Sequence, residues 1–204
     1  FSPDGKNIAY VRDNNIYYYD LESFTEKQIT NDGVFEKIIN GMTDWVYEEE
    51  FKINRGFFWS PEGDKIAYYK FDESMVKEFS FTYYEGLYPK EYRYKYPKPG
   101  EENSKVYIYI YDLKTGESKR INTADETDFY IPRIKWTNDN NMLSFQILNR
   151  HQNKLDLYFA DANTGNSRLI FSHTNKYYFE INDDLTFVGN NSFIWNENNN
   201  LYQY

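Results

Sequence analysis

Short apolar runs, several of them alternating with polar residues, recur along the chain between clusters of turn formers, as half-buried β-strands require. Ile8-Ala9-Tyr10-Val11 and Ile16-Tyr17-Tyr18-Tyr19 are two such runs, and the Asp-Asn-Asn within Arg12 to Asn15 suits a hairpin between them. Ahead of them stands Phe1-Ser2-Pro3-Asp4-Gly5-Lys6, which reads as a tight turn: Pro presets one backbone angle and Gly accepts another that a Cβ would forbid. The arrangement then returns. Trp59-Ser60-Pro61-Glu62-Gly63-Asp64-Lys65 precedes Ile66-Ala67-Tyr68-Tyr69, 58 residues on from Phe1 to Trp59. A degenerate third copy, Trp136-Thr137-Asn138-Asp139-Asn140-Asn141 before Met142-Leu143-Ser144-Phe145, follows 77 residues later, from Trp59 to Trp136.

The second halves of these repeats also correspond. Ile16 to Leu21, Val106 to Leu113 and Leu155 to Asp161 each end an alternating strand with Asp. Two of them continue into the turns Lys114-Thr115-Gly116-Glu117 and Asn163-Thr164-Gly165-Asn166. A last strand pair is predicted at Phe193-Ile194-Trp195 and Leu201-Tyr202-Gln203-Tyr204, around an Asn-rich turn. Several short antiparallel strands repeating every 50 to 75 residues or so are the mark of propeller blades with long insertions. A β-sandwich also needs many short strands, but it does not require an aromatic-Ser-Pro-acid-Gly turn to recur. The predicted class is all-β. At roughly four strands per blade the chain makes about three to four blades, whereas closed propellers have about 4 to 8, so a segment of a longer propeller is expected. The start at Phe1-Ser2-Pro3, without an initiator Met, points the same way.

One insertion, from Phe71 to Gly100, interrupts the pattern. Its Tyr92-Arg93-Tyr94-Lys95-Tyr96-Pro97 alternates aromatic and basic residues, as an extended arm with one adhesive face would. Two readings stand: a hairpin folded onto its own sheet, or an arm that pairs with another subunit.

Composition changes the picture in three respects. The 204 residues include 22 Tyr, 16 Phe and 4 Trp, so aromatic rings carry the core, which favours sheet. The formal net charge of -9 argues against a nucleic-acid partner and makes a cationic or amine-bearing ligand more natural. There is no cysteine, hence no disulfide or thiolate chemistry, and no apolar run approaches the roughly 20 residues that span a bilayer.

Catalytic motifs are absent from these residues. No Gly-x-Ser-x-Gly elbow occurs, there is no Gly-rich phosphate loop, and His151 and His173, lacking the His-Glu-x-x-His spacing, read as surface or loop histidines. Asn190-Asn191-Ser192 matches a glycosylation sequon. The stretch that demands chemistry is Thr43-Asp44-Trp45-Val46-Tyr47-Glu48-Glu49-Glu50-Phe51. Three adjacent carboxylates suit a helical turn better than a strand. Thr43 or Asp44 could cap it, leaving the glutamates close enough to the helix N-terminus to gain from its partial positive charge. Trp45, Tyr47 and Phe51 are expected to bury much of the segment, and buried like charges call for a cation. A peptide's α-ammonium, with three donors, answers that need. Calcium is the other candidate guest, although the loop of alternating Asp and Asn with a Gly is missing.

Asn40-Gly41-Met42-Thr43-Asp44-Trp45-Val46-Tyr47-Glu48-Glu49-Glu50-Phe51, followed by Phe58-Trp59-Ser60-Pro61-Glu62-Gly63 and Phe71-Asp72-Glu73-Ser74, closely resembles the N-terminal propeller of dipeptidyl peptidase IV and its bacterial relatives. Tyr88-Pro89, Tyr96-Pro97-Lys98-Pro99-Gly100 and Tyr109-Ile110-Tyr111-Asp112-Leu113 extend the likeness in order. The resemblance implies part of an eight-bladed propeller that covers a C-terminal α/β-hydrolase domain carrying the Ser, Asp and His triad, a domain not within this chain. It further implies that Glu49 and Glu50 hold the free N-terminal amine of a peptide substrate, so that dipeptides with proline or alanine second are released. The implied enzyme is a secreted, periplasmic or cell-surface homodimer joined through the arm 71–100. No cofactor or metal is implied. The expected function is thus substrate gating and amine anchoring for a serine exopeptidase. A prolyl tripeptidyl peptidase or a non-catalytic, protein-binding propeller are the alternatives.

Overall fold

The computed structural model describes residues 1–123, 128–181, 183–189, 192–197 and 200–203. The fold is all-β, a partial propeller built from successive antiparallel sheets, with one short helix among the described residues. Its contacts divide the chain into two compact units. One comprises Phe1–Phe1, Lys6–Phe57 and Tyr68–Tyr107; the other comprises Ser2–Gly5, Phe58–Ala67 and Ile108–Tyr204.

In the first unit, β1 (Asn7–Arg12), β2 (Asn15–Asp20) and β3 (Thr25–Gln28) form a three-stranded meander. The β1–β2 hairpin turns at Asp13 and Asn14, whose φ of 51° and 58° give the mirror-image turn that matches strand twist. Strand β3 reads Thr-Glu-Lys-Gln and is exposed throughout, a charged edge that discourages pairing with stray strands. The next sheet contains β4 (Ile38–Asn40), β5 (Phe57–Trp59), β6 (Lys65–Asp72), β9 (Lys105–Asp112) and β10 (Glu117–Arg120), in the order β10-β9-β6-β4 with β5 also on β6. Because β4 and β5 both pair with β6, they act as one inner strand interrupted by residues 41–56. The interruption is pinned at its base: Gly41 N donates to Tyr69 O (2.9 Å), Gly56 N to Gly41 O (2.9 Å) and Tyr69 N to Gly56 O (2.8 Å). Gly56 is needed there, since a Cβ would lie 2.8 Å from the Met42 carbonyl oxygen.

The second insertion of this sheet joins β6 to β9. It is a hairpin of β7 (Glu78–Tyr83) and β8 (Lys90–Lys95) that forms its own two-stranded sheet. The expected arm therefore exists, but its start is later than Phe71. Phe71 and Asp72 belong to β6, and Phe71 is fully buried among core aromatic rings. The change from a largely buried strand to one with alternating exposure comes only after Val76.

The second unit holds β11 (Phe129–Tyr130), β12 (Ile134–Trp136), β13 (Met142–Asn149), β14 (Lys154–Asp161) and β15 (Ser167–Thr174), then β16 (Thr186–Val188), β17 (Ser192–Glu197) and β18 (Asn200–Gln203). Here β11 and β12 share β13 as β4 and β5 share β6, but only residues 131–133 interrupt them. The recurrent turn is real. Gly5 N donates to Ser2 O and Gly63 N to Ser60 O, each at 2.9 Å, with φ of 73° and 75° at the glycines. The third copy lacks glycine for a structural reason: Asn140 reaches back, donating to Asp64 Oδ1 (2.8 Å) and accepting from Glu62 N (3.0 Å). The strand-ending aspartates also have a common task. Asp20, Asp112 and Asp161 each accept two backbone N–H groups of the following turn, at 2.8 to 3.1 Å. His151 is exposed in a turn, but His173 sits within β15 with its ring 4.7 Å from that of Phe171, so the loop reading fails for it. The Asn190-Asn191 pair of the sequon and Tyr204 lie outside the described residues.

Candidate functional site

The interruption 41–56 carries the helix α1 (Trp45–Glu49). Asp44 is its N-cap: an extended backbone there (φ −77°, ψ 176°) lets the carboxylate accept from Tyr47 N at 2.9 Å. Five residues cannot hold a helix in water, so its persistence rests on packing. Tyr47 supplies it, with ring centroids 4.7 Å from Phe71, 5.1 Å from Phe51 and 6.1 Å from Tyr69. Beyond Glu50, Ile53 N donates to Tyr47 O (3.1 Å) and Thr43 Oγ1 donates to Ile53 O (2.7 Å), closing the loop behind the helix.

The same helix is tied to the arm's base. Ser104, just ahead of β9, donates from Oγ to Asp44 Oδ2 at 2.6 Å. Trp45 packs edge-on against Tyr96 at 4.3 Å. Tyr96 in turn ends a row of rings that runs up one face of the arm through Phe79 and Tyr94, Phe81 and Tyr92. Burial pushes the Asp44 carboxyl above its ordinary range, against the hydrogen bonds from Ser104 and Tyr47, which pull it down.

Glu73, in the turn between β6 and the arm, is only 6% exposed. Burial first, then the neighbouring Asp44 carboxylate, push its carboxyl up to about 7. Lys95 opposes the shift, while Glu36 and Asp72 add to it. Neither Glu73 nor Ser104 carries a sequence signal for this role. Ser104 lies 60 residues from Asp44 in the chain, and only the fold brings them together.

Two expectations about the glutamates are corrected. Glu48, Glu49 and Glu50 are all exposed, because Val46, Tyr47 and Phe51 take the inward positions and three successive helical residues cannot all face the core. Glu49 is moreover the last helical residue and Glu50 the C-cap, so the helix dipole opposes their charge instead of supporting it. The pair thus stands as an outward-facing concentration of negative charge on a backbone fixed at both ends. One cation set against it is Lys52, whose Nζ is 3.6 Å from Glu49 Oε2. Among the described residues, no three acidic, histidine or cysteine side chains converge to hold a metal ion. Chemically, a pair of exposed carboxylates can accept charge-assisted hydrogen bonds from an ammonium group.

The family described as "Dipeptidyl peptidase IV (DPP IV) N-terminal region" matches residues 1–203. Dipeptidyl aminopeptidase B of Saccharomyces cerevisiae is 34% identical over 198 residues, which cover 92% of this chain and 24% of that protein. The mouse protein named inactive dipeptidyl peptidase 10 is 32% identical, over 79% of this chain and 21% of its own length. Among solved structures, Porphyromonas gingivalis dipeptidyl peptidase 4 superposes with a TM-score of 0.92 at 37% identity, over 100% of this chain and 30% of that one. The chain thus spans about a quarter of the length of the curated relatives it matches. On these matches the chain belongs to the dipeptidyl peptidase IV family, as part of its N-terminal region.

Proposed function

We propose that this chain is the amine-anchoring, substrate-gating part of a serine exopeptidase that removes Xaa-Pro or Xaa-Ala dipeptides from peptide N-termini. The observation that carries the reading is the exposed Glu49–Glu50 pair at the end of a helix whose backbone is pinned on both sides. A peptide α-ammonium offers three N–H donors, and two carboxylates take two of them in charge-assisted bonds. Such an anchor does no bond chemistry. It sets the register of the peptide, and with it which peptide bond reaches a nucleophile. That nucleophile belongs to an α/β-hydrolase domain outside these residues. The complete protein should release dipeptides from a peptide with proline second and leave the N-acetylated peptide intact, as read by mass spectrometry. Equal cleavage of both would refute the anchor.

We carry as a second reading a propeller kept for protein binding after loss of catalysis; the name of the mouse relative bears on the loss of catalysis alone. Release of no dipeptide from either peptide would support it, and release of tripeptides would move the anchor one residue deeper. We assign the arm to homodimer formation: Tyr84, Leu87 and Tyr88 at its tip are 80%, 96% and 81% exposed, a set of large apolar groups a monomer has little reason to display. Replacing Glu78–Lys95 by a short Gly-Ser linker in the complete protein should yield a monomer in sedimentation velocity. A persisting dimer would place the interface elsewhere. A site of action outside the cytoplasm completes the proposal. Among the described residues no helix is long and apolar enough to cross a membrane.

A further inference from the structure

We infer that Lys52 is an internal competitor for the substrate's amine, a specificity-determining residue that occupies Glu49 until a peptide N-terminus displaces it. The inference rests on the amine-anchor reading of Glu49 and Glu50. Lys52 has a φ of 58°, in the left-handed region where a β-carbon is strained and glycine is favoured. The turn is held there by two hydrogen bonds on its neighbour, Ile53 N to Tyr47 O and Thr43 Oγ1 to Ile53 O. A glycine would relieve the strain, so what the lysine adds at this position is its side chain. That side chain returns over the helix end and brings Nζ to 3.6 Å from Glu49 Oε2.

The lysine head is an ammonium with three donors, the same chemical group as a peptide N-terminus. Both partners of the pair are open to water, 76% for the lysine side chain and 57% for the glutamate. An exposed pair of this kind is weak, which is what a displaceable occupant needs: it holds the carboxylate in place without barring a better-fitting amine. It also offsets part of the charge of three consecutive glutamates, weakening the pull on any cation nearby. Competition of this sort acts on the bound ground state and the transition state alike, so it belongs in KM and leaves kcat alone.

The test uses the complete protein and two substrates, an Xaa-Pro substrate with a free α-amine and its desamino counterpart. Lys52→Gly and Lys52→Met should each lower KM for the amine-bearing substrate about two- to five-fold, the range an exposed ion pair supports, with kcat unchanged. Lys52→Arg should keep the KM of the parent protein, and the desamino substrate should have the same KM in all four proteins. Lys52→Gly removes backbone strain and so tests the side chain without endangering the fold, while Lys52→Met keeps the aliphatic stem. An unchanged or raised KM in both variants, with Glu49→Gln still weakening capture of the amine, overturns the competitor role and leaves the anchor standing. If Glu49→Gln and Glu50→Gln also leave the amine-bearing substrate unaffected, the anchor itself falls and the competitor with it.

Discussion

Replacing Glu49 and Glu50 together by glutamine should lower kcat/KM of the complete protein for free-amine dipeptidyl substrates by about 2 kcal/mol, roughly 30-fold. Charge-assisted hydrogen bonds contribute about 1.5 to 3 kcal/mol each where water is excluded, and less where the carboxylates are solvated, as they are here. Two bonds at about 1 kcal/mol each, below that range because solvent reaches them, give the stated loss. Glutamine keeps the shape and one acceptor oxygen but removes the charge and turns an N–H group toward a cation, so the change is electrostatic and leaves packing untouched. The helix should persist, because its stability lies in the packing of Tyr47 and Phe51 and in the Asp44 cap, whereas Glu49 and Glu50 face solvent. Kinetics on the amine-bearing and desamino substrates separate the outcomes. A loss confined to the former supports the anchor, and unchanged efficiency on both would remove Glu49 and Glu50 from substrate binding.

Glu73→Gln should stabilise the protein at and above neutral pH while leaving it unchanged in acid. In the fold this carboxyl is held at about 7, against an ordinary value of 4.5. The folded state therefore binds the proton more tightly than the unfolded chain. Stability associated with Glu73 is fully present below about pH 4.5 and is lost as pH rises through 7, where the buried group must ionise beside Asp44. Glutamine removes the need to ionise. The difference between variant and parent should grow from nothing near pH 4.5 to as much as about 3 kcal/mol above pH 7, since each tenfold difference in proton affinity between the folded and unfolded chain is worth about 1.4 kcal/mol. Urea midpoints measured from pH 4.5 to 8 give the profile. Parallel curves for the two proteins would mean that Lys95 neutralises Glu73 in the fold and that burial costs it nothing.

Much of the frame was legible along the chain. The Asp-Asn turn, the Ser-Pro-acid-Gly turn and the strand-ending aspartates act through backbone bonds among near neighbours, and near neighbours are what a linear reading sees. The Asp44 cap was in view for the same reason, alongside Thr43, which instead bonds Ile53. The environment of the glutamates was not legible. Three aromatic neighbours suggested burial, but the rotation of a five-residue helix decides which side chains turn inward, and that rotation is set by the packing of Tyr47 on Tyr69 and Phe71. The arm's beginning was misplaced for a related reason: Phe71 and Phe79 look alike in sequence, and only pairing of β6 with β4 shows that the first belongs to the core.

The sequence by itself determined the all-β class, the repeated turns, the presence of a helical turn at the Glu49–Glu50 motif, and the order of motifs that marks the family, because each is written in short local runs and in their order along the chain. The tertiary structure alone decided that the glutamates face solvent at the helix C-terminus, that Lys52 meets Glu49 from a strained turn, and that Asp44 is locked to Ser104 across 60 residues. Those outcomes follow from how an interrupted inner strand closes over β6 and from which rings fill the space beneath it, a balance of burial and backbone bonding that no local stretch contains.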